Sequence, residues 1–161
     1  MAELKHVTGF AELARALGQL PQNISRNVLR GMVNAGATVI RKEVVARAPV
    51  YEGTDPRVDP GLIQRSIFQK QIPERSNRQV QTFYVGVRVG SGKTVKIRGR
   101  VLSSDAWYWR FSEFGTAKEA AKPFIQPAFE AKRLDALDAM KRYGEDRIPE
   151  EYKKLGLTYK P

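Results

Sequence analysis

The side chains able to do chemistry are few and scattered. His6 is the chain's one histidine, and a lone histidine near a chain end is usually a solvated side chain rather than a general base. Cysteine is absent, which removes disulfide frameworks and thiolate metal sites and fits assembly in a reducing cytoplasm. Gly92-Lys93-Thr94 has the ending of a phosphate-binding loop, but Val87 stands where that pattern requires its first glycine, and a β-type alternation rather than a helix follows. Glu52, Asp55 and Asp59 lie in a Pro/Gly-rich stretch, where acids are ordinarily solvated rather than gathered on a cation. No nucleophile elbow, metal-ligand spacing or dinucleotide fingerprint is present. The expectation is a protein that is not an enzyme and holds no cofactor or metal.

Charge is the next signal. The 161 residues carry a formal net charge of +11, and the pI is near 10.1. Such a field favours polyanions or an acidic protein surface. It is concentrated in residues 60–104, where nine basic residues face one acid, Glu74. Arg88, Lys93, Lys96, Arg98 and Arg100 are the candidates there for contact with DNA or an acidic partner, with Tyr84 able to stack on a base. A DNA-binding accessory protein is therefore the alternative function.

These residues need elements to position them. Phe10, Leu13, Ala14 and Leu17 share one face of a helix over residues 9–17, with Thr8 and Gly18 as caps. Pro21 opens a longer helix reaching residue 48, with Ile24, Val28, Met32, Ala35, Val39 and Val44 as its apolar stripe, and Pro49 ends it. Residues 50–61 read as a loop and 62–66 as a helical turn. Period-two alternation predicts strands at 67–72, 79–89, 94–101 and 106–112, the middle two forming a hairpin about residues 90–93. A last helix opens at Pro127, with Ala128, Ala131, Leu134, Leu137 and Met140 inward, and ends near Gly144 and Pro149. The fold class expected is α+β: an antiparallel sheet of about four strands packed against a long N-terminal helix and a C-terminal helix. Residues 1–146 are expected to form one domain, and 147–161 a polar tail ordered only on assembly. No apolar stretch approaches the length of a membrane span.

The most unusual stretch packs Trp107, Tyr108, Trp109, Phe111 and Phe114 into eight residues. As a strand it would place Trp107, Trp109 and Phe111 on one face and Tyr108 with Arg110 on the other. One face can fill a core while the other meets a neighbouring subunit, since aromatics and arginine are favoured anchors. Gly115 makes a sharp exit turn after Glu113 and Phe114. Residues 122–129 then lead through Phe124 into the last helix.

Tyr108-Trp109-Arg110-Phe111-Ser112-Glu113-Phe114-Gly115-Thr116, followed by Lys122-Pro123-Phe124-Ile125-Gln126-Pro127-Ala128-Phe129, resembles the two signature blocks of the gene-product-ten-like tail-completion or head–tail joining proteins of tailed bacteriophages. Upstream, Ala48-Pro49-Val50 and Gly61-Leu62-Ile63-Gln64-Arg65-Ser66-Ile67 are similar to that family's Ala-Pro-Val and Gly-x-Leu segments. The resemblance runs from about residue 7 to 143. It departs in the longer 51–60 connection and the extra C-terminal residues. It implies a structural virion protein of the neck, made in the host cytoplasm, that assembles into a ring around the DNA channel. The implied partners are copies of itself, the connector or head-closure protein, and the tail terminator or tube, with DNA passing nearby. The subunit-interface candidates are Tyr51, Asp55, Asp59, Trp107, Tyr108, Trp109, Arg110, Phe111, Glu113, Phe114, Gly115 and Phe124.

Overall fold

The computed structural model describes residues 9–50, 60–90, 94–97, 100–103 and 106–157. The fold is α+β, with a long helix early in the chain and another late. Two compact units are present. One comprises Met1–Val39, Lys70–Tyr84 and Arg133–Pro161, the other Ile40–Gln69 and Val85–Lys132.

The first unit holds α1 (Phe10–Gln19) and the early part of α2 (Gln22–Arg47). It also holds the later part of α5 (Ile125–Lys154). Its core joins Leu13, Ala16, Leu20, Val28 and Met32 to Ile148 and Tyr152. Gly31 faces Tyr143, while Gly36 faces Met140 and the Ala136 carbonyl, so these stretches of α2 and α5 run antiparallel and close. A Cβ at Gly36 would stand 2.6 Å from Met140 Cε and 3.0 Å from that carbonyl oxygen.

α1 starts after Gly9 and passes Gly18 to reach Gln19. Thr8, the expected cap, lies outside the described residues. α5 also overruns its expected end and contains Pro149. Residues 147–154 are thus helical where a polar tail was expected. Packing explains the overrun: Ile148 and Tyr152, one helical turn apart, are both buried. The Tyr152 hydroxyl donates 2.9 Å to the Ala16 carbonyl in the last turn of α1, tying the two helices together. Burying a large apolar side chain is worth about 1.5–3 kcal/mol, which offsets much of the roughly 3 kcal/mol an internal proline costs.

The second unit's core collects Val44 and Ala48 of α2, Leu62 and Ile63 of α3 (Leu62–Ser66), Ile67, Val87, Ala106, Phe124 and Ala128. Gln64 of α3 donates its amide to the Val45 carbonyl at 3.3 Å and weakly to that of Ala48, occupying acceptors at the end of α2.

The strands pair two by two rather than as the single four-stranded sheet expected. β1 (Ile67–Gln71) pairs with β2 (Phe83–Val87), and β3 (Thr94–Ile97) with β4 (Arg100–Ser103). The Arg88 N–H donates to the Ser66 carbonyl and the Ile72 N–H to the Thr82 carbonyl, so β1 and β2 are antiparallel. Their connection is closed by Asn77, whose side-chain oxygen accepts 2.8 Å bonds from the Gln79 and Val80 N–H groups. This Asx-type turn removes residues 79–82 from the strand that alternation predicted. β2 shows the alternation that predicted a strand there, Val85 and Val87 turning inward and Tyr84 and Arg88 outward, while Val89 beyond it is exposed. β3 and β4 are antiparallel, with Lys96 opposite Val101 and Ile97 opposite Arg100.

Residues 106–112, expected as the fourth strand, are not extended. They form a turn and then α4 (Trp109–Phe114). Alternation misread this stretch because a run of aromatics satisfies a period of two and a period near four equally well. In the last helix the inward face is also rotated from the expected one: Leu134 is exposed, while Ala136 is buried.

Candidate functional site

The aromatic block becomes two populations once it is helical. Trp109 and Tyr108 are half-buried against the second unit's core. Trp107, Phe111 and Phe114 stay outside, at 60%, 49% and 74% exposure. Trp107 and Phe111 are one helical turn apart and meet edge to face, with centroids 5.6 Å apart at 89°. Trp107 also meets Tyr108 edge-on at 6.1 Å, and Phe114 tilts against Trp109 at 6.4 Å. Such pairs favour a fixed geometry over a loose one, by about 0.5–1.5 kcal/mol each. Arg110, exposed, places its guanidinium 5.8 Å from the centre of the Trp109 ring. Among the described residues the Trp109 Nε1–H is buried without an acceptor.

Glu113 and Phe124 sit inside this unit rather than on its surface, with Gly115 half-buried beside them. Glu113 is buried and reaches the start of α5. One carboxylate oxygen accepts from the Phe124 N–H at 2.8 Å and the Ile125 N–H at 3.1 Å, and the other from the Gln126 N–H at 3.3 Å. Pro127 has no N–H to satisfy, and the Ala128 N–H bonds the Phe124 carbonyl at 3.3 Å. The open donors at the start of a 30-residue helix are thereby all accounted for. An acid at this end also meets the positive end of the helix dipole.

Gly115 adopts φ 74°, ψ −179°, a region open only to glycine. A Cβ there would lie 2.8 Å from the Ala121 nitrogen and 3.0 Å from the Glu119 oxygen. Thr116 Oγ1 accepts from the Lys118 and Glu119 N–H groups, and the Lys122 N–H donates 2.8 Å back to Ser112. Phe124 is 1% exposed and a centre of the core. The Glu-Phe-Gly-Thr block is therefore a latch that fixes α4 against the start of α5. The sequence marked these residues by type, but their role depends on groups eleven to thirteen positions away.

Beside α4 lies a cleft of about 650 Å³ lined by Pro49, Val50, Ile63, Tyr108, Phe111 and Lys122, among others. It brings together the Ala-Pro-Val, Gly-Leu-Ile and aromatic blocks, which lie far apart in the chain. The part played by Pro49, Val50 and Ile63 was hidden in the sequence, since only tertiary contact joins them to Phe111. Tyr51, Asp55 and Asp59 lie outside the described residues, as do Lys93 and Arg98. Lys96 and Arg100 belong to the β3–β4 ladder. Arg88 holds its guanidinium 5.4 Å over the Phe68 ring. Among the described residues no cluster of His, Asp or Glu could hold a metal ion, and no helix is long and apolar enough to cross a membrane.

Residues 11–115 match the family described as "Bacteriophage HK97-gp10, putative tail-component". The chain belongs to that family. It is accordingly a bacteriophage tail-related structural component. The match runs from α1 through α4 and stops at Gly115, so the proline-rich lead into α5 lies beyond it. No curated protein matches the chain, and no solved structure does.

Proposed function

We propose that this member of the HK97-gp10-like family is a joining piece of the virion neck. Copies assemble into a closed ring around the DNA channel, and the ring completes the tail and links it to the head-closure or connector proteins on one side and the terminator or tube on the other. The observation that carries this reading is the exposed set of Phe111 and Phe114 on α4 and Trp107 in the turn before it, held in position by Glu113 and Gly115. Large aromatics clustered on a rigid element are the usual anchors of a protein interface. Tyr51, Asp55 and Asp59 are proposed contacts with neighbouring copies. The basic residues 88–100 lie near the packaged DNA in this arrangement, without reading its sequence.

Electron microscopy of particles made with this gene interrupted by an amber codon tests the reading. Filled heads lying apart from tails, converted to whole particles by adding the protein, are expected. Tails of abnormal length beside separate heads would place the ring at the tube end. Normal infectious particles would overturn the reading and leave DNA binding as the alternative.

A further inference from the structure

The neck reading leaves open which neighbour covers α4. We propose that α4 and the cleft beside it take an acidic segment of a different protein, one that inserts apolar side chains between carboxylates. The proposal rests on the joining role, because it names the chemistry of the partner joined.

Three observations carry it. The first is apolar: Trp107 and Phe111 form a ridge at the cleft, and Phe111 lines it together with Pro49, Val50, Ile63 and Tyr108. At about 650 Å³ the cleft is open on one side and has room for side chains of a docked segment. The second is charge. Along residues 106–122 Arg110, Lys118 and Lys122 are exposed against one exposed acid, Glu119, which lines the cleft together with Lys122, because Glu113 is withdrawn to cap α5. A second copy docking face to face would set these cations against their own images and would bring a further +11 of charge. An acidic partner neutralises them and is drawn in by the same field. The third is rigidity. The latch through Glu113, Gly115 and Lys122 holds the ridge in place before binding, so little ordering cost falls on this side of the complex.

The test uses the full chain and its own fluorescence. Of the protein's two tryptophans, Trp107 is exposed on this surface and Trp109 is half-buried beneath it, so cover over the surface shifts the emission of Trp107. The probe is a synthetic peptide alternating leucine with glutamate. The controls are the same peptide with lysine for glutamate, and a peptide copying this chain's residues 50–60. The acidic peptide is expected to shift the emission to the blue with saturation, and more weakly as salt is raised. Phe111→Ser and Arg110→Glu, each with unchanged helical circular dichroism, are expected to weaken that binding by about tenfold.

An equal response to the lysine peptide would overturn the proposal, since charge would then not be recognised. No response to either peptide would also overturn it. Tighter binding of the 50–60 peptide, or a shift that grows with protein concentration alone, would assign the surface to a second copy. None of these results depends on particle morphology, so the failure of this inference and the failure of the neck reading are separately visible.

Discussion

Glu113 illustrates how a residue's chemistry and its role can part company. A glutamate in an aromatic, basic segment reads as a surface charge, yet its carboxylate is consumed by three backbone N–H groups of the Phe124–Gln126 turn. Glu113→Ala leaves those donors buried without acceptors and is expected to lower stability by about 2 kcal/mol or more in urea denaturation. Glu113→Gln keeps one acceptor oxygen and is expected to lose less. Equal stability of the alanine variant and the parent would show that water replaces the cap. Gly115→Ala is expected to cost about 1–3 kcal/mol from backbone conformation alone, with the close approach to Ala121 and Glu119 adding to it. A variant of unchanged melting temperature would refute the latch.

At the scale of elements, α5 is the decisive one. A proline at 149 and a charged sequence argue for an end near Gly144, yet burial of Ile148 and Tyr152 carries the helix to Lys154. Ile148→Ala is expected to destabilise the fold by about 2–5 kcal/mol, and Tyr152→Phe by about 1 kcal/mol through the bond to Ala16. Hydrogen exchange over residues 147–154 as fast as in an unfolded chain would contradict both. The last turns also carry a pH dependence. The hydrogen bond from Lys154, together with the charges of Lys154 and Arg147 and against the opposing effect of desolvation, holds Glu151 below its ordinary value of 4.5. A carboxylate favoured in the folded state contributes fully above that ordinary value and loses its contribution as pH falls through the lowered one. The C-terminal turns are therefore expected to lose a small part of their exchange protection as pH falls below that ordinary value, and Glu151→Gln to flatten that loss.

For the whole molecule, the important division is between aromatics that hold the fold and aromatics left for something else. Phe124 at 1% exposure and Phe114 at 74% stand ten positions apart in the same motif region. Phe114→Ser and Trp107→Ser are expected to change stability by about 0.5 kcal/mol or less, while lowering the yield of infectious particles in a complementation assay. A fall in stability as large as that of a core substitution would return these side chains to the fold and remove them from the interface. Normal particle yields with unchanged stability would remove them from assembly.

The sequence by itself determined the apolar stripe of α2, the inward faces of Val85 and Val87, and the family, because each depends on residue types close together in the chain. Periodicity and turn chemistry act over a few positions, so they are legible without a fold. Tertiary structure alone decided that residues 109–114 are helix, that β1 rather than β3 pairs with β2, and that α5 continues through Pro149. It alone turned Glu113 and Phe124 inward and left Trp107 and Phe114 outside. For residues 109–114 local preference was close to balanced, and at Pro149 it opposed the helix; in each case the free energy of burying apolar surface and pairing backbone groups with distant residues decided the outcome.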